Sequence, residues 1–236
     1  MESQFSRTEL LLGKESTLKL SKMHICIFGL GGVGGYVVEM LARSGVGVFT
    51  IVDNDNFSIS NLNRQILATH SNIGCAKVDE AEKRIKDINP NAIVNKIKEF
   101  YLPDNNTINF DDFDYVVDAI DTVSAKIDII CKCKEKNIKI ISSMGTGKKL
   151  NPGMLKICDI SKTEVDPLAK VMRYELRKRN INHLKVCYSN EEVIKHEIVK
   201  NEGSNKDVPG SSPFVPSTAG ILIAAEVVKD LLMNEM

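Results

Sequence analysis

The stretch Ile25-Cys-Ile-Phe-Gly-Leu-Gly-Gly-Val-Gly-Gly35 decides how the rest of the chain is read. Four apolar residues predict a short buried strand, the glycines a tight turn, and the residues beyond them the start of a helix. Gly29, Gly31 and Gly34 fit G-x-G-x-x-G, with Gly32 inside the same turn. Side chains there would hold a phosphate away from the backbone N–H groups, and the helix N-terminus offers its unpaired N–H groups and positive dipole end to an anion. The next apolar run, Val48-Phe-Thr-Ile-Val, ends in Asp53, 19 residues beyond Gly34. A carboxylate at that distance is placed to accept from a ribose hydroxyl. Together these features predict nucleotide binding without naming the nucleotide.

Outward from this unit, strands and helices alternate. Strand 1 is expected over His24–Phe28 and is followed by a helix from Val33 to Arg43. A polar segment, Ser58-Ile-Ser-Asn-Leu-Asn-Arg-Gln65, follows strand 2 and precedes a helix from Ala76 to Ile88, which Asn89-Pro90 stops. Ala92–Ile97, Tyr115–Ile120 and Ile138–Ser142 supply strands 3 to 5, with a helix from Val123 to Lys136 before the last. Five strands alternating with helices imply an α/β, Rossmann-like doubly wound and mostly parallel sheet. After Ser143 the pattern changes to short runs, Met154–Ile160 and His183–Tyr188, around a basic helix near Leu168–Arg179. These predict antiparallel extension strands and a basic crossover segment over about 155–216. The stretch 201–216, rich in Gly, Pro and Ser, reads as a loop, and 219–232 as a terminal helix. Residues 5–22 read as amphipathic turns. The whole, 1–236, is expected to form one domain.

Composition narrows the classes. The 43% hydrophobic and 26% charged content is that of an ordinary globular chain. The apolar run Ile221–Ala225 is far shorter than the roughly 20 residues of a bilayer span. No basic-then-apolar leader is present, so a cytoplasmic protein is expected. Six cysteines without regular spacing read as free thiols. Net charge is zero but uneven. Residues 123–200 hold 17 Lys+Arg against 9 Asp+Glu, and the remainder 14 against 22. That asymmetry allows an anionic macromolecular partner on one face.

A lone glycine turn with Asp53 would suit NAD. Arg64, Lys77 at the head of the next helix, and Asp121 at the end of strand 4 suit a triphosphate better. The two cations would neutralise phosphate charge, and Asp121 would offer Mg²⁺ a hard oxygen. Asp118 reads as a residue that caps or orients the turn rather than a metal ligand.

Gly29-Leu-Gly-Gly-Val-Gly34, Asp53, Asn61-x-x-Arg64-Gln65, Gly74-x-x-Lys77 and Asp118-Ala-Ile-Asp121 occur in order, and as a set they resemble the adenylating fold of ubiquitin-activating enzymes. The relatives of that fold include the activators of the sulfur-carrier proteins of thiamine and molybdopterin synthesis. The resemblance implies attack of a carboxylate on the α-phosphate of ATP, giving an acyl-adenylate and pyrophosphate. It implies that Asp53 binds ribose, that Asp55, Asn61 and Gln65 contact the nucleotide, that Arg64 and Lys77 hold the phosphates, and that Asp121 binds magnesium. It also gives Arg7 the place of an arginine that reaches across a homodimer into the partner's site.

Two departures select a branch. Carrier-protein activators commonly hold zinc with two C-x-x-C pairs, and this chain has only Cys131-Lys-Cys133, whose thiols a helix turns to different sides, so no zinc is expected. The second half, through Asp159-Ile-Ser-Lys-Thr-Glu-Val-Asp-Pro-Leu168, Val186-Cys-Tyr-Ser189 and Gly210-Ser-Ser-Pro-Phe-Val-Pro216, resembles the zinc-free tRNA threonylcarbamoyladenosine dehydratases. That branch implies a tRNA substrate, held electrostatically by Arg173, Arg177, Lys178 and Arg179. Activation of a carrier protein's C-terminal glycine is the alternative, with Cys187 as the one candidate thiol and a docking sulfur-transfer protein as a further partner. A non-enzymatic nucleotide-binding module is the more distant one.

Overall fold

The computed structural model describes residues 3–103, 107–195 and 210–232. Among these described residues seven strands form one sheet in the order β3-β2-β1-β4-β5-β7-β6. They span His24–Phe28 (β1), Val48–Val52 (β2), Ile93–Ile97 (β3), Tyr115–Asp118 (β4), Lys139–Ser143 (β5), Leu155–Asp159 (β6) and Lys185–Ser189 (β7). From β1 the chain steps outward through β2 to β3, then returns to place β4 on the other side of β1 and continues through β5 to β7. The order therefore reverses between β1 and β4, and a crevice opens at the carboxyl ends of these two strands.

Burial explains the order. All four residues of β4, and Ile25 to Phe28 of β1, are buried, as strands covered on both faces must be. Strand β3 lies at an edge and leaves Ile93 exposed. The helices are Ser6–Leu12 (α1), Lys14–Leu20 (α2), Gly34–Arg43 (α3), Lys77–Ile88 (α4), Val123–Glu135 (α5), Pro167–Arg177 (α6) and Phe214–Leu232 (α7). Helices α3, α4 and α7 share one apolar core with one face of the sheet, and α5 and α6 share another with the opposite face. Gly13 separates α1 from α2 at φ +86°, a backbone setting that side chains disfavour.

The sheet is mostly parallel with an antiparallel extension, as expected: β6 runs antiparallel to β7, whereas β7 itself lies parallel to β5. The terminal helix begins at Phe214, five residues before the expected Ala219. Pro216 had marked the end of a loop, but the first turn of a helix needs no N–H from it. The expected 201–216 loop thus ends by residue 213, and its part at 201–209 lies outside the described residues. Among the described residues no helix is long and apolar enough to cross a membrane.

Candidate active site

A cleft of about 600 Å³ occupies the crevice at the order reversal. Its floor is the glycine turn. Gly29 has φ +88°, and a Cβ on it would stand 2.7 Å from the carbonyl oxygen of Ala119. A Cβ on Gly34 would stand 1.8 Å from the carbonyl oxygen of Gly29. These two glycines close the turn against β4 and against itself. Gly31 differs, because a Cβ there would meet nothing nearer than Gln65 Nε2 at 4.0 Å. The space above it is open to a ligand.

Asp53 stands at the end of β2 and holds the turn in shape. Its Oδ2 accepts from the Leu30 N–H at 2.7 Å, and its Oδ1 from the Asp55 N–H at 2.8 Å. Lys77, buried at the start of α4, donates from Nζ to Asp55 Oδ2 at 2.8 Å and lies 3.7 Å from Asp53 Oδ2. The loop after β2 and the loop before α4 are tied by Phe57 N–H to Cys75 O and by Lys77 N–H to Asp55 O. Asn61 Oδ1 accepts from the Ser58 N–H, while Arg64 donates to Ser60 O and Asn63 Oδ1, each at 2.9 Å. Gln65 is 5% exposed and its Oε1 has no partner, although it lines the cleft. A buried carbonyl left without a donor is costly, and here it marks where a ligand could supply one.

Asp121 lines the same cleft and is exposed to it. Asp118 does not reach it. Its carboxylate is fully buried, 2.8 Å from Lys126 Nζ, and accepts from Ser142 Oγ at 2.5 Å. Lys126 also donates to the carbonyls of Ile120 and Ser143, so this pair fixes the turn that presents Asp121. The reading of Asp118 as an orienting residue therefore stands, with a partner the sequence did not suggest. Arg7 is exposed on α1 and is not among the residues lining the cleft of its own chain. All the other candidates, Gly29, Gly31, Gly32, Asp53, Asp55, Asn61, Arg64, Gln65, Lys77 and Asp121, line it, and Gly34 supports it from below.

The basic helix is less available than its composition implied. Arg173 is committed to Thr163, through its carbonyl and its hydroxyl. Lys178 and Arg179 both pair with Glu175. Arg177 is exposed, as is Lys170 two turns earlier. Among the cysteines, Cys133 is buried while Cys131 is half-buried, as the helix geometry required. Burial pushes the Cys187 thiol up to about 12, so it stays protonated near neutrality. Among the described residues no three His, Cys, Asp or Glu side chains gather as a metal site.

The model of the ThiF family matches residues 5–236. The chain belongs to the ThiF family. The tRNA threonylcarbamoyladenosine dehydratase of Bacillus subtilis is 43% identical over 245 residues, covering 99% of this chain and 96% of that protein. Its Escherichia coli counterpart in complex with ATP superposes with a TM-score of 0.86 at 30% identity, covering 98% of this chain and 94% of that one. The adenylyltransferase and sulfurtransferase UBA4 of Vanderwaltozyma polyspora is 34% identical over only 58% of this chain and 31% of its own length.

Proposed function

We infer that this ThiF-family chain is an ATP-dependent tRNA threonylcarbamoyladenosine dehydratase, which closes N6-threonylcarbamoyladenosine in tRNA to its cyclic form. The observation that carries this reading is the similarity of the whole chain, second half included, to the dehydratases, against the partial match to a carrier-protein adenylyltransferase. The cleft supplies the chemistry. The backbone N–H groups of the glycine turn and the N-terminus of α3 receive phosphate, and Asp53 accepts from ribose. The orphaned Gln65 Oε1 gains a donor from the bound nucleotide.

The threonyl carboxylate attacks the α-phosphorus of ATP, pyrophosphate leaves, and an acyl-adenylate forms. Arg64 and Lys77 stabilise the negative charge that builds on the phosphoryl oxygens during transfer. Lys77 must turn part of its charge from Asp55 toward phosphate, so Asp55 stores it in position until ATP arrives. The carbamoyl group of the same nucleoside then attacks the activated carbonyl. AMP departs, and the ring closes with net loss of one water. No protein nucleophile is needed, because the substrate carries its own and the site only has to position it.

Magnesium fits this cleft in one way. Asp121, exposed in the cleft with Asp55 and Glu99, would offer Mg²⁺ a carboxylate while substrate phosphates and water complete its shell. Arg7 completes the site from a second copy in a homodimer. The setting is the cytoplasm, where tRNA is modified.

The test incubates purified protein with ATP and tRNA bearing the modification, and follows AMP, pyrophosphate and the nucleoside mass. AMP should form only with modified tRNA, and the nucleoside should lose the mass of one water. Arg64→Ala should slow AMP formation by about 10²–10³-fold, the usual loss for one donor to a transition state. Cys187→Ser should leave the rate unaltered. AMP formation with a carrier protein's C-terminal glycine and none with tRNA would sink the assignment.

A further inference from the structure

The nucleotide half of the cleft lies over β2, β1 and β4. Its other wall is built on the β5 and β7 side, from Met144–Lys149 and from Asp166–Leu168 at the start of α6. This wall contains an ion pair that nucleotide binding does not require. Lys149 Nζ lies 2.6 Å from Asp166 Oδ2, with the side chains 1% and 0% exposed. The ammonium also donates to the carbonyls of Gly145 and Ser189, each at 3.0 Å, so all its protons are used. The other oxygen of Asp166 accepts from the Ala169 N–H and caps α6. The Lys149 carbonyl accepts from Ser212 Oγ at 3.3 Å. One side chain thus joins the loop after β5, the end of β7 and the head of α6, and its backbone adds the segment before α7.

The backbone on both sides of this pair is strained. Lys148 has φ +57° and Val165 φ +59°, and a branched side chain such as valine strongly disfavours that region. Such residues persist where their surroundings over-determine them. Gly145 makes room for the pair, since a Cβ there would stand 3.1 Å from Asp166 Oδ2. A buried ion pair is a poor way to gain stability, because well-packed apolar residues serve as well. What it provides here is a fixed placement of two loops.

We propose that Lys149 and Asp166 are positioning residues that set the acyl-substrate wall of the cleft, independently of the ATP half. The wall they set offers the Thr146 hydroxyl and the backbone of Gly145 and Gly147, a polar surface suited to the carboxylate-bearing arm of the modified nucleoside. The inference rests on the dehydratase reading for the identity of that arm. Asp166→Asn keeps an oxygen to cap α6 and removes the charge that orients Lys149. With the full chain, ATP and modified tRNA, kcat/KM for tRNA should fall about tenfold or more, given how steeply misplacement slows reaction. The ATP dissociation constant, measured by titration calorimetry, should stay within about twofold. If Asp166→Asn is insoluble, Gly145→Ala, which presses on the same oxygen, carries the same comparison. Equal losses for ATP and tRNA, or a lowered melting temperature with both constants unchanged, overturn the proposal. A wild-type protein idle on modified tRNA overturns the functional reading and this inference with it, whereas an active wild type with unaltered variants overturns this inference alone.

Discussion

Lys126 has no exposed surface, yet its three acceptors, Asp118, the Ile120 carbonyl and the Ser143 carbonyl, lie at the ends of two different strands, β4 and β5. Replacing it with methionine keeps most of its volume but leaves the Asp118 carboxylate buried and unpaired. The expected cost is about 3–5 kcal/mol, the range for breaking a buried pair from one side. Urea denaturation of Lys126→Met checks it, and a loss under about 1 kcal/mol would mean that water or a shifted side chain replaces the ammonium. The glycines and Asp53 were legible in the sequence because their chemistry is local: a turn, a strand end and a fixed spacing between them. Arg64, Lys77 and Asp121 were legible only as members of an ordered set. Lys126, Lys149 and Asp166 were not legible as site residues. A buried lysine has no sequence mark that separates it from a solvated one, and its partners lie across the fold. For Arg173, Lys178 and Arg179 the sequence was silent in another way, because a basic run on a helix does not disclose which charges already have partners within the chain.

At the scale of the elements, α3 carries the glycine turn at its head and Glu39 in its middle. Glu39 bonds Arg84 on α4 through both oxygens, each at 2.8 Å, and also Arg43 within its own helix. Burial works to raise the Glu39 carboxyl, but the hydrogen bonds from Arg84 and Arg43 outweigh it and leave it below its ordinary value. A carboxyl depressed in the folded state adds stability above the pKa it has when unfolded, and that stability disappears as pH falls through the folded value. The α3–α4 contact should therefore weaken below about pH 4.5. Denaturant midpoints between pH 5 and pH 3 should fall less steeply for Glu39→Gln than for the wild-type chain. Parallel slopes would show that other carboxylates govern acid unfolding. The strands were read to within two residues because most are apolar runs between turn residues. The direction of β7 was not, since a short strand reads the same both ways and tertiary pairing alone orients it.

Across the whole molecule, α7 is the element that closes the fold. Near its start, Gly220 faces α3, where a Cβ would stand 2.5 Å from the Val33 carbonyl oxygen and 2.6 Å from Tyr36 Cβ. Near its end, Asp230 accepts from Tyr115 Oη at 2.7 Å and from Lys185 Nζ at 2.6 Å, reaching β4 and β7. Gly220→Val should force α7 away from the head of α3, at about 1–3 kcal/mol as overpacked contacts cost. Because that head forms the nucleotide turn, ATP affinity should drop along with stability. Calorimetric titration beside a urea curve reads both, and an unstable variant with undiminished ATP affinity would show that the turn holds its shape without α7. The close seat of α7 on α3 also has a consequence in time. Gly34 leaves the ribosome 180 residues ahead of Phe214. At about 5–20 residues per second, the nucleotide turn waits roughly 10–35 seconds for the helix that braces it. Through that interval Val33 and Val37 have no cover from α7, so the nascent chain is most exposed to misassembly just before it can first hold its nucleotide.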